Sequence, residues 1–463
     1  MKILLINPPQ ATRYPQPPLG LEMVAAVLEK KGYLVKILDL PALRLSENSL
    51  PTVISQEKPD IVGITAMTPT INSAVNVAKK VKESNSNVTV VLGGAHATIR
   101  PEETLQNAPE IDIVVRGEGE QTTLELVKVL ENDASSINQV LGITYREWTG
   151  IRSNPSRQPL SDLDALPFPA FHLLPVGKYR LHPPFGRRSP VMPIITSRGC
   201  PYRCIFCSKS VFGKKYRSNS PAYIVDEIRL LNEKFGVKEI KFYDDVFTLD
   251  RKRVIDICRQ LKEQGIDIPW TCETRVNLVD RELLRVMKDA GCYMIAYGVE
   301  SGNQVILNNL KKDITLEQAI KAFELTDEAG IETVAYFMIG SPDETPQTIE
   351  ETMDFAKKLD PDFVQFSMTT PYPGTELFRL AFEEGYVSEK WDEYVYADLK
   401  SVDNPAFETE ILSREELGEW NKKAYTSFYL RWSYVWKRLK KMTSFGELKT
   451  NIAGLRVLID IVR

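Results

Sequence analysis

The stretch 196-TSRGCPYRCIFCSKS-210 places Cys200, Cys204 and Cys207 within eight residues, spaced C-x3-C-x2-C. Structural zinc usually completes four ligands, often from paired C-x2-C groups, and this chain has no second pair. Thiolates also bind iron–sulfur clusters. A four-iron cube held by three cysteines leaves one iron open to a small chelating ligand, which makes such a site catalytic. Arg198, Arg203, Lys209, Lys214, Lys215 and Arg217 flank the triplet; this basic run suits an anionic cluster, or else is a solvated loop.

Outward from the triplet, short apolar runs alternate with helical patterns. Strands are expected at 191–197, 238–244, 268–275, 293–300, 332–340 and 362–370, with helices such as 221-PAYIVDEIRLLNEKFG-236 between them. Six strand–helix units predict an incomplete (β/α) barrel, whose active site lies at the carboxyl ends of its strands. The cysteines follow the first of these strands and so fall at the barrel mouth.

The chain before the barrel alternates in the same way. KILLINPP, LVKILDL, DIVGITAM, TVVLGG and DIVVRGEG read as buried strands, which implies a doubly wound parallel sheet. Ligands of such sheets bind beyond the strand carboxyl ends. That edge holds Pro8 and Pro9, Thr65 and Thr68, Gly93, Gly94 and His96, and the turn Arg116, Gly117, Glu118, Gly119. The expected organisation is a first domain at 1–140, a proline-rich linker with a hairpin at 141–190, the barrel at 191–385 and a mainly helical region at 386–463.

The 463 residues are too many for one core. A net charge of −4 gives no overall basic field for nucleic acid. No apolar run reaches the ~18 residues of a membrane span and no signal peptide is evident, so the expected compartment is the cytoplasm. The isolated Cys258, Cys272 and Cys292 read as small core residues. RWSYVWKRLKKM, 431–442, reads as a basic helix with aromatic residues three or four apart. Such a helix either caps the open side of the barrel with its lysines in solvent, or contacts anionic lipid.

The triplet, with Phe206 before its last cysteine, resembles the loop of radical S-adenosylmethionine (SAM) enzymes. The resemblance implies that the three cysteines hold a 4Fe–4S cluster whose fourth iron takes the amino and carboxylate groups of SAM. One electron then cleaves SAM to methionine and a 5′-deoxyadenosyl radical. Further matches run along the barrel: FYDDVFT, ETR, YGVESG, FMIGSPDET and TPYPGT. They imply that Asp244 or Asp245 contacts the SAM ammonium and that Arg275 pairs with its carboxylate. Glu300 and Ser301 would bind the ribose or the methionine part, and Gly340 would allow close approach of adenine. FYDDVFT departs from the Gly-Gly-Glu form common in the family.

The first domain resembles the cobalamin-binding domain of one radical SAM subclass, on NPP, VGITAMTPT, VLGGAHATIRPEE and VVRGEGEQT. Gly93–Gly94 then offers bare backbone to a ring or nucleotide tail, and the Arg116–Gly119 turn exposes backbone N–H groups. The chain's three histidines are His96, His172 and His182, and D-x-H-x-x-G is absent, so no histidine of that motif lies under the cobalt. His96 is expected as a polar wall residue. The implied activity is methylation of an unactivated carbon of a small-molecule or lipid-like substrate, with electrons from flavodoxin or ferredoxin. The alternative with the same cofactors is ring closure or oxygenation, as in the anaerobic Mg-protoporphyrin ester cyclase. Methylthiotransfer fits poorly without N-terminal cysteines, and a non-catalytic cobalamin or iron–sulfur sensor would cleave no SAM.

Overall fold

The computed structural model describes residues 1–10, 12–148, 150–181, 185–388, 390 and 408–441. His182 and the basic residues beyond 441 lie outside these. The chain forms two compact units. One holds Met1–Tyr179, Ser208–Asn219 and Lys390; the other holds Arg180–Cys207, Ser220–Ser388 and residues 408–441.

In the first unit, β1 (Lys2–Asn7), β2 (Leu34–Asp39), β3 (Ile61–Thr65), β4 (Thr89–Gly93) and β5 (Ile113–Val115) pair in parallel. Successive side chains of a strand point to opposite faces. Leu4, Ile6, Val62, Ile64, Val90, Leu92 and Val114 accordingly join one core, under the helix Ile71–Ser84. Ile3, Leu5, Ile61, Val91, Ile113 and Val115 join another, under the helices Leu19–Glu29 and Gly119–Asn132. The sheet order β2-β1-β3-β4-β5 reverses between β1 and β3. That reversal opens a crevice beyond their carboxyl ends.

The hairpin expected inside the linker extends this sheet. Its strands β6 (Ile143–Glu147) and β7 (Gly150–Ser153) run antiparallel, with β6 paired to β5. Ile143 and Tyr145 are buried in the same core as Ile113 and Val115, so the hairpin covers an edge that the short β5 would leave open.

The second unit carries β8 (Val191–Ile194), β9 (Glu239–Phe242), β10 (Trp270–Thr274), β11 (Cys292–Glu300), β12 (Glu332–Ile339) and β13 (Phe363–Met368). All neighbours are parallel and their order follows the chain, as in a barrel built from successive β–α units. Cys258, Cys272 and Cys292 are buried as expected.

The helix Arg414–Tyr429 lies on the edge strand β13. The Tyr429 hydroxyl donates to Val364 O and accepts from Val364 N, Tyr425 Oη accepts from Phe366 N, and the Asn421 amide donates to Phe366 O. These bonds satisfy backbone groups that an open edge would expose. The next helix, Trp432–Lys441, docks beside the amino ends of β12 and β13. Lys437 pairs with Asp360, and Arg438 with Glu332 and Asp362. Its basic residues are therefore not all in solvent: the exposed groups are chiefly Trp432, Trp436, Leu439 and Lys440. Among the described residues no helix is long and apolar enough to cross a membrane.

Candidate active site

Gly199 turns the chain out of the barrel wall with a φ of 86°, and the cysteine loop begins at the next residue. Cys200 is buried, Cys204 half-buried and Cys207 exposed, and none is in a disulfide. The loop is fixed by its own apolar residue. Ile205 is buried against Ile306, Leu310 and Leu377, with Phe206 packed at the margin. Its N–H donates to Leu310 O and its carbonyl accepts from Leu377 N. The sulfurs thus hang from a pinned backbone rather than a loose surface loop.

Arg275, at the end of β10, is buried beneath them. Its Nη1 lies 3.7 Å from Cys204 Sγ, and Nη2 donates to the carbonyls of Lys312 and Asp313. Nε donates to Asn277 at 3.2 Å, and the guanidinium stacks 3.6 Å from the Tyr202 ring centroid. Lys312 in turn bonds Glu300 at 2.6 Å, with the two side chains only 7% and 10% exposed. Its Nζ lies 5.9 Å from the Phe206 ring. Tyr202, Cys204, Phe206, Arg275, Glu300 and Lys312 therefore form one connected group at the barrel mouth.

The remaining barrel residues are placed as follows. Asp244 is buried and accepts from Thr196 Oγ1 at 2.9 Å and from Ser197 Oγ. Burial pushes its pKa up, opposed mainly by the charge of Arg253. Its carboxylate is turned into the wall of the barrel, whereas Asp245 is exposed. Ser301 Oγ lies 3.1 Å from Thr352 Oγ1 and accepts from Asn303 N, so its hydroxyl is engaged within the fold. Gly340 has a φ of 87° and donates its N–H to Glu344 at 2.6 Å. Glu344 is itself buried, which raises its pKa to about 7 against the pull of the Ser341 and Gly340 N–H groups.

At the sheet edge of the first unit, Pro8–Pro9 and Thr65–Thr68 follow β1 and β3 and flank the reversal in strand order. A Cβ on Gly94 would meet Ala66 O at 2.5 Å, and its φ is 102°. The protein's own backbone therefore already demands that glycine. Gly93 is different: the nearest atom to a Cβ there is Val115 O at 3.9 Å, so its approach face is open. His96 is buried with Nδ1 3.3 Å from Thr68 Oγ1, and burial, aided by Arg100, lowers its pKa to about 4. The ring is therefore neutral and enclosed within the fold.

The Arg116–Gly119 turn is largely spoken for by the fold. Arg116 reaches away to the carbonyls of Ile143 and Asn154. Gly117 N donates to Thr98 Oγ1, and Glu118 forms a buried ion pair with Arg217 at 2.6 Å. Gly119 opens the helix Gly119–Asn132.

Several of these partners escape a reading of the sequence. Lys312 stands in a charged loop with no motif of its own, Tyr202 looks like an ordinary loop residue, and Arg217, read as part of the basic run beside the cysteines, is instead buried against Glu118. Only the spacing of YGVESG ahead of LKKD puts Lys312 within reach of Glu300.

The donor set fits an iron–sulfur cluster. Three thiols on a pinned loop, with a buried cation beside one of them, suit an anionic group. Among the described residues no three His, Cys, Asp or Glu side chains converge on a single ion. A cube needs no such convergence, since it takes its ligands at separate corners. In the first unit, the open backbone at Gly93 and the crevice at the strand reversal suit the approach of a large flat group.

Comparison with known proteins agrees with both halves. Residues 194–356 match the radical SAM superfamily and residues 11–127 the B12 binding domain. An uncharacterized methyltransferase of Pyrococcus horikoshii is 40% identical over 98% of each chain. An anaerobic magnesium-protoporphyrin IX monomethyl ester cyclase of Rubrivivax gelatinosus is 33% identical over 90% of this chain and 75% of its own. The solved structure of the cobalamin-dependent SAM radical enzyme OxsB, with aqua-cobalamin and SAM bound, superposes with a TM-score of 0.78 at 18% identity, over 99% of this chain and 71% of that one. The chain belongs to the cobalamin-dependent radical SAM enzymes, whose cofactors are a 4Fe–4S cluster, SAM and cobalamin.

Proposed function

We propose that the protein is a cobalamin-dependent radical SAM C-methyltransferase acting on an unactivated carbon of a small-molecule or lipid-like substrate. The observation that carries this reading is the trio Cys200, Cys204 and Cys207, with no fourth cysteine in the loop, on a pinned segment after the carboxyl end of β8. When bound, the cluster supplies one electron to SAM, and cobalamin carries the methyl group. The residues supply placement. Cys200, Cys204 and Cys207 would hold three irons, and Phe206 and Ile205 anchor their loop. Asp245, exposed beside the mouth, is better disposed toward the SAM ammonium than the enclosed Asp244. Gly340, at the end of β12, would allow close approach of adenine. The β1/β3 crevice, with Pro8, Pro9, Thr65, Thr68 and Gly93, would hold cobalamin, and Gly94, His96 and Glu118 would shape it from behind.

The proposed electron donor is a low-potential protein of the flavodoxin or ferredoxin kind, and the proposed compartment is the cytoplasm. The exposed Trp432, Trp436 and Leu439, beside Lys440, support peripheral contact with anionic lipid. Equal pelleting with anionic liposomes, with and without residues 431–463, would remove that contact.

The test of the activity is anaerobic incubation with cobalamin, SAM and a chemical reductant. A methyltransferase forms both 5′-deoxyadenosine and S-adenosylhomocysteine; a cyclase forms the first without the second. Unchanged 5′-deoxyadenosine from Cys200→Ala would overturn the cluster assignment.

A further inference from the structure

We propose that Arg275 is a positioning residue that donates to the Cys204 sulfur and raises the reduction potential of the iron–sulfur group held there. The inference rests on the reading that the three thiolates bind a cluster.

The geometry assigns Arg275 to this task rather than to a SAM carboxylate. A guanidinium has five N–H groups. One is directed at Asn277, one at Cys204 Sγ and two at the carbonyls of Lys312 and Asp313, which makes four of the five. A bidentate grip on a carboxylate would strip these bonds from the carbonyls of Lys312 and Asp313, at a site where Arg275 is only 4% exposed. The acceptors are also purpose-shaped. Lys311 and Asp313 take left-handed backbone, with φ of 51° and 53°, a conformation uncommon for residues other than glycine. Those two turns flank Lys312, whose carbonyl and that of Asp313 are presented to Nη2. Tyr202, which lies between Cys200 and Cys204, covers the guanidinium face. Cys204 Sγ is the acceptor left for Nη1.

Hydrogen bonds to cluster sulfurs, and net charge nearby, set the potential of iron–sulfur groups. Reduction adds a negative charge to a group that is already anionic. A buried cation with an N–H on one ligand sulfur stabilises that added charge, and burial limits its screening. Lys312 contributes little to this field, since its charge is matched by Glu300 at 2.6 Å. The guanidinium therefore supplies the positive charge whose N–H reaches Cys204 directly.

The experiment compares the parent, Arg275→Gln and Arg275→Lys, each loaded with iron anaerobically. The readout is the intensity of the reduced-cluster EPR signal against poised potential, with iron per chain measured on the same samples. Loss of one charge-assisted bond should change the reduced-to-oxidised ratio at fixed poise about tenfold, a fall of about 59 mV for one electron. Arg275→Lys keeps the charge and should fall by less than half as much. An unchanged potential in iron-loaded Arg275→Gln would overturn the inference. Loss of iron from both variants would overturn it too, by making Arg275 a folding residue. A parent chain that binds no iron would overturn the cluster reading beneath it, so the two failures are distinguishable.

Discussion

Replacing Lys312 by Met isolates the buried ion pair at the barrel mouth. Lys312 Nζ and Glu300 Oε1 are 2.6 Å apart, and both side chains are at least nine-tenths buried. Glu300 also holds a left-handed φ of 71°, and a Cβ on Gly298 would stand 2.5 Å from Glu300 Oε1 and 2.7 Å from Lys312 Nζ, so a side chain there would press on the pair. The surroundings are thus built around the pair. Removing one partner leaves a buried carboxylate without its counter-charge, which costs about 3–5 kcal/mol. For a unit of this size each kcal/mol moves a melting midpoint by about 2 °C, so Lys312→Met should lower it by about 6–10 °C. Adding Glu300→Gln to Lys312→Met removes the orphan charge and should restore most of the loss. The assay is thermal unfolding of the four proteins of this cycle by circular dichroism, without SAM and at matched iron content. A fall below about 2 °C, or a double variant no better than Lys312→Met alone, would refute the reasoning.

Two further perturbations test other parts of the fold. Gly94→Ala forces a methyl group onto Ala66 O at a φ of 102° and should destabilise the first unit by at least about 1–3 kcal/mol. Gly93→Ala meets nothing closer than 3.9 Å and should leave the melting midpoint unchanged while weakening cobalamin uptake, read from its absorption spectrum. Glu227 is fully buried, and burial, with Asp244 adding to it, lifts its pKa from 4.5 to about 8. The folded state therefore keeps a proton that the unfolded chain has lost. Its stabilising effect is complete below about pH 4.5 and is lost as pH rises through 8. The difference of 8 − 4.5 pKa units corresponds to about 5 kcal/mol. Glu227→Gln should flatten the decline of the melting midpoint between pH 5 and 8, and an unchanged slope would contradict the assignment.

The parts legible in the sequence were those set by period and by spacing. Buried strands such as KILLIN show unbroken apolar runs because both faces of a parallel sheet are covered, and all eleven expected strands are present within a few residues. The cysteine spacing, read from the same local pattern, puts the candidate cluster loop directly after β8. Contacts made across long sequence separations left no comparable trace. The hairpin β6–β7 is legible as a hairpin, but not that its buried Ile143 and Tyr145 fill the edge beside β5. Asp244 reads as an available carboxylate, but Thr196 and Ser197, almost fifty residues earlier, enclose it. Glu118 looks like part of an open turn, and Arg217, nearly a hundred residues later, closes on it. Side chains at strand ends can serve a ligand or the neighbouring loop, and only their partners decide which.

The central claim is that Cys200, Cys204 and Cys207 bind three irons of a cube and leave the fourth for SAM. Mössbauer spectroscopy of anaerobically prepared protein labelled with iron-57, before and after SAM is added, tests it most directly. The three-ligand assignment predicts about four irons per chain in a three-to-one pattern, with the single site shifting when SAM binds. Four irons that all remain unmoved by SAM would contradict it.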